Sequence, residues 1–185
     1  MKLSKPILEL WETDPNIVKF MLAHEIGHAI HGDNNKQIRK DNSVSKWVKN
    51  GVIFLSEMRA NIEGSSSLNF PSLEMDRIQR ILHNENNRLF KESLSTRLPI
   101  KLGWMKNIEY SYDDNSNEHL KYLFRRGYPT RKMISVYTDK YKLFDAQVKN
   151  DLLDTFYEII KEEVQTDKDT FKDEVISTFS KYYNG

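Results

Sequence analysis

Within "LAHEIGHAIHGD", residues 22–33, three histidines, a glutamate and an aspartate share twelve positions, and most of the rest are apolar or small. His24 and His28 are four apart. On a helix that spacing brings both imidazoles to one face, one turn apart, where two ring nitrogens can grip a single zinc ion. Glu25 projects to the side of that face. It is poorly placed to be a ligand but well placed to reach a water on the metal. Zinc lowers the pKa of such a water to near 7, and an adjacent carboxylate can take its proton. H-E-x-x-H on a helix is therefore a generator of hydroxide at neutral pH. The small Gly27 before the second histidine leaves room for a close neighbour.

A catalytic zinc normally has three protein ligands and one open position. The chain has no cysteine, so the third must be His, Asp or Glu. The positions past His28 where an extended H-E-x-x-H-x-x-G-x-x-H pattern needs Gly and His hold His31 and Asn34, so that pattern fails. The next acidic stretch is "SEMRANIEG". Glu57 is the candidate ligand if its helix packs antiparallel to the first, with Glu63 as a rival. Asn61, one turn after Glu57, is expected to bind the outer nitrogen of a ligating histidine. His31 reads as a helix-end residue and Asp33 as a group that could orient His28 or His31. His83, in the polar run "HNENN", and His119 read as surface residues. Tyr110, Tyr112 and Tyr128 are available to stabilise an oxyanion.

These segments resemble the gluzincin zinc peptidases, and within them the small ImmA/IrrE-like group. Its pattern is H-E-x-G-H-A followed by E-x-x-A-N on the next helix, matched here by "HEIGHAIHGD" and "EMRANIE". The match lies within residues 22–63. The resemblance implies His24, His28 and Glu57 as zinc ligands and Glu25 as general base. Ala60 and Asn61 occupy the small and supporting positions. It also implies a peptide or protein substrate, in that group a DNA-binding regulator. Such enzymes carry a small β-sheet ahead of the metal helix. Here "KPILELW" supplies one short strand at most, so the sheet is minimal, is completed by residues 97–114, or belongs to a longer chain. A metal-bound helical interaction module without turnover is the alternative reading.

The elements that must position these residues follow from the rest of the sequence. Asp14 is a cap and Pro15 a first residue for a helix ending at Gly32. That helix has few polar members and is expected to be buried. A second runs over 43–63 with Gly64 as its stop, and a third over 72–94. Residues 97–114 suggest a hairpin or ordered loop. Helices return at 117–126, after Pro129-Thr130, at 145–164 and at 168–182. Phe144, Phe156, Tyr157, Phe171 and Phe179 recur at core spacing. The predicted fold is predominantly α, α+β at most: a zincin-like helix pair with a helical C-terminal half. Residues 1–96 carry the metal motifs, and 97–185 form a helical portion that can share their domain.

Lysine and arginine (28) nearly balance aspartate and glutamate (27), which gives no reason to expect nucleic-acid binding. The balance is local, however. Residues 120–150 hold eight basic against two acidic residues, and 151–175 nine acidic against three basic. These segments can attract one another or remain solvated helix faces. With neither a signal-peptide pattern nor a membrane-spanning run, the expected location is the cytoplasm.

Overall fold

A computed structural model describes residues 11–33, 35–97 and 110–183. They form α1 (Pro15–Ile30), α2 (Asn35–Lys40), α3 (Lys46–Leu68), α4 (Ser72–Arg97), α5 (Asn117–Phe124), α6 (Arg131–Lys140), α7 (Ala146–Ile160) and α8 (Lys168–Tyr182). A 3-10 turn at Lys161–Glu163 follows α7. The described residues contain no strand, and the fold is predominantly α as expected. The expected hairpin falls largely on residues 98–109, outside the described part. So does most of the expected strand, and Trp11 at its end is helical.

The central element is α3. The run Val52, Ile53, Phe54 and Leu55 is fully buried on consecutive positions, so every face of this turn is covered. The neighbours are α1, α2, α5, α6, α7 and α8. A helix enclosed this way must be apolar or small all round. Gly51, Ser56, Ala60, Gly64 and Ser65 supply the small positions, all buried. Gly64 therefore does not stop the helix. It continues to Leu68, and Asn69 ends it in the left-handed conformation at φ 51°.

Helix starts follow local chemistry. The side chains of Ser45, Ser116, Thr130, Asp145 and Asp167 each accept from the backbone N–H three residues on. Asp14 does not cap α1. Its carboxylate instead meets Arg77 of α4, with one contact at 3.0 Å. The helix itself is less buried than expected, because Ile26 and Ile30 on its outer face are exposed.

Phe54, Phe124, Phe156 and Phe171 form a stack through α3, α5, α7 and α8, with ring centroids 5.0, 4.6 and 6.2 Å apart in sequence. All four are fully buried. The C-terminal aromatics thus pack the interior, and one buried cluster runs from Ile17 to Tyr183. The two oppositely charged segments meet at its rim through Lys121–Glu162 (3.2 Å), Arg125–Glu163 (2.9 Å) and Lys140–Asp151 (3.1 Å). These exposed pairs contribute little each, because solvent screens them. No helix among the described residues is long and apolar enough to cross a membrane.

Candidate metal centre

Small residues set how closely α1 and α3 approach. A Cβ built on Gly27 would meet Ala60 Cα at 3.2 Å, and one on Gly64 would meet the Ala23 carbonyl carbon and the His24 nitrogen at 3.1 Å. Residue 27 lies opposite 60 and residue 23 opposite 64, so the helices run antiparallel. The glycine inside the H-E-x-x-H motif and the alanine of "EMRANIE" are thus one packing contact. Gly64→Val is expected to push the helices apart, costing about 1–3 kcal/mol by overpacking. It should also weaken metal binding by moving Glu57 off the histidines. Thermal melts and a zinc titration of the variant check both effects.

This approach brings Glu57 to the two imidazoles. His24 Nε2 and His28 Nε2 are 3.1 Å apart, and Glu57 Oε2 lies 3.6 Å from the first and 3.7 Å from the second. The three form a group able to hold a metal ion. The nearest point equidistant from three donors at these separations, in their own plane, lies about 2.0 Å from each, within reach of zinc bonds to nitrogen or carboxylate oxygen. Two neutral nitrogens and one carboxylate also suit zinc chemically.

The imidazoles differ in environment. Burial lowers the His24 pKa below its ordinary value against the opposing pull of Glu57, and its Nδ1 is buried without a partner among the described residues. Burial works to lower His28 as well. There, hydrogen bonds and charge from Asp33 and Glu57 outweigh it and raise the pKa to about 9.

Asp33 explains the asymmetry. After α1 the chain turns through Gly32 at φ +65°, which carries the Asp33 carboxylate back beneath His28. Asp33 Oδ2 accepts from His28 Nδ1 at 2.8 Å, and Arg59 of α3 donates to Oδ1. The Asp33 and Arg59 side chains are only 1% and 2% exposed. A carboxylate on the outer nitrogen fixes the ring and presents Nε2 as the metal-facing lone pair.

Several expectations are corrected here. Asn61 does not hold a histidine. Its Nδ2 donates to the Glu57 carbonyl of its own helix at 2.6 Å, because the i to i+4 geometry offers that acceptor closer than any ring. Glu63 is not a ligand but accepts from His31 Nε2 at 2.7 Å, and His31 itself caps the end of α1. His119 is buried, with its ring stacked 4.1 Å from that of Tyr110 and Nδ1 donating to the Asp114 carbonyl at 2.8 Å. His83 is half-buried, 3.1 Å from the Tyr110 carbonyl. The chain around residue 110 covers both rings, a long-range contact that local polarity does not report.

Glu25 keeps its surface exposed and makes no hydrogen bond or ion pair among the described residues. It lines a cleft of about 560 Å³ together with His24 and Glu57. Tyr110, Tyr112, Tyr128, His83, His119 and Arg131 line the same cleft. Of the three tyrosines, Tyr112 is engaged: its hydroxyl donates to Asp76 at 2.9 Å, and burial raises its pKa. The Tyr110 hydroxyl is buried without a partner among the described residues, and Tyr128 is 41% exposed. Arg131 has no counterpart in the sequence reading. The available signal was its position, since a cation in the first turn of a helix opposes the macrodipole and asks for a reason.

The chain was compared with models of protein families, with curated proteins and with solved structures, and it matches none of them.

Proposed function

We propose that this protein is a zinc-dependent peptidase of the gluzincin type, resembling the ImmA/IrrE group. The observation that carries the reading is the convergence of His24, His28 and Glu57, of which His24 and Glu57 line one cleft together with the unpartnered Glu25. Zinc, if held by these three donors, would supply a Lewis acid and would lower the pKa of water so that hydroxide is available near neutral pH. Glu25 accepts the proton of the attacking water and returns it to the leaving amine. Asp33 holds His28 in the ligating tautomer, and Arg59 holds Asp33. A protein substrate of the DNA-binding regulator class belongs to the same reading. So does a cytoplasmic location, which suits a chain without cysteine.

The test is zinc titration of the purified chain with His24→Ala and Glu57→Ala beside it, followed by hydrolysis of mixed peptides. The expected result is one zinc per chain, bound at least about tenfold more weakly by either variant. Hydrolysis should stop on chelation and return with added zinc. Equal zinc affinity in all three proteins would remove the metal centre from the argument. A second reading, a metal-bound interaction module, draws on the lack of a strand among the described residues to pair with substrate. Tight zinc binding with no turnover on any peptide favours it.

A further inference from the structure

Arg131 belongs to no ion pair among the described residues. It is the first residue of α6, capped by Thr130, and it lines the cleft. Its one hydrogen bond there is long, Nη1 to Gln79 Oε1 at 3.3 Å. Part of the residue is open to the cleft, yet protein surrounds it closely enough that desolvation lowers its pKa, against an attraction from Glu57. A metal ion on Glu57 would absorb that attraction.

A guanidinium taken from water without a carboxylate partner is unfavourable, and its planar fork matches a carboxylate bidentately. The positive end of α6 adds to the field at the same place. Aromatic side chains, Phe20 and Tyr110 among them, line the same cleft, and the Tyr110 hydroxyl has an unused hydrogen-bonding capacity. A cleft of about 560 Å³ suits a small ligand or the end of a chain.

We infer that Arg131 anchors the C-terminal carboxylate of a peptide whose last residue is aromatic or apolar. The inference rests on the peptidase reading and narrows it to cleavage at chain ends. Water adds across the last peptide bond: its oxygen joins the carbonyl carbon, the C–N bond breaks, and the leaving amine takes the proton through Glu25. A free amino acid is released, and no other reactant is needed.

The test measures binding separately from turnover. Zinc-loaded Glu25→Gln chain is titrated calorimetrically with N-acetyl-alanyl-phenylalanine, with its C-terminal amide, and with N-acetyl-alanyl-glutamate α-amide. The first is expected to bind at least about tenfold more tightly than the second. The third, whose one carboxylate is on the side chain, should bind no better than the second. Adding Arg131→Gln should erase the preference, and Arg131→Lys should restore only part of it, with thermal melts reporting that each variant folds. If Arg131→Gln does not fold, Arg131→Lys alone still tests the fork, because an undiminished preference in it overturns the inference. A preference that survives Arg131→Gln also overturns it, since the metal alone would then be taking the carboxylate. Equal binding of acid and amide does the same, and tight binding of the glutamate amide overturns the chain-end assignment. Wild-type chain assayed for hydrolysis separates the two ideas. An Arg131-dependent preference without any cleavage counts against the peptidase reading alone, and cleavage indifferent to the chain end counts against this inference alone.

Discussion

Glu25→Gln is expected to bind zinc and melt as wild type does while losing peptide hydrolysis by roughly 10²–10⁴-fold, the usual contribution of a positioned general base. The amide has the size of the carboxylate but no affinity for a proton. Because Glu25 is exposed and makes no hydrogen bond or ion pair among the described residues, its replacement should leave the packing of α1 against α3 untouched. The retained fold is what makes the experiment decisive. Zinc stoichiometry, melting temperature and kcat on the same preparation form the measurement. A variant that cleaves at the wild-type rate would remove Glu25 from the mechanism.

Asp33→Ala is expected to act on stability and on the metal at once. It takes the carboxylate from beside Arg59, whose side chain is 2% exposed, and breaking a buried pair by deleting one partner costs about 3–5 kcal/mol. It also frees the His28 ring, and loss of such an outer partner typically lowers metal affinity by about 10–100-fold. The two effects can be separated. Replacing both charges, Asp33→Leu with Arg59→Leu, should recover much of the stability, since an apolar pair of similar volume often does as well as a buried ion pair. The same double variant should keep the weak zinc binding, because nothing then holds His28 Nδ1. Denaturant titration of the metal-free proteins reads the first effect and zinc titration the second. Recovery of zinc affinity in the double variant would mean that Asp33 acts through packing alone.

The part of the centre legible in the sequence is the part built on helical repeat. His24 and His28 follow from a spacing of four, and Glu57 from a second motif whose small residue, Ala60, meets Gly27. What was hidden depends on turns and on distant segments. Asp33 reaches His28 only because Gly32 bends the chain back, a geometry that residue spacing alone leaves open. His83, His119 and Arg131 come to the cleft from three different helices, and nothing local marks them as neighbours. Seven of the eight helices named here were likewise legible from caps and apolar spacing, while α2 (Asn35–Lys40) lies in a polar stretch that reads as a loop. Gly64 was misread because a glycine that ends a helix and one that lets a second helix approach look alike in one dimension. Asn61 failed for a related reason: an amide on a helix has its own backbone within reach before any partner arrives.

Arg59 does more than hold Asp33. Its guanidinium lies 4.8 Å from the ring centre of Phe179, on α8. Both histidines and Glu57 leave the ribosome long before Phe179 does, so a growing chain can display its donors while the wall behind Arg59 is still missing. On the zinc reading, firm capture of the ion is expected late in synthesis, once α8 has docked, and a nick ahead of that helix is expected to weaken it.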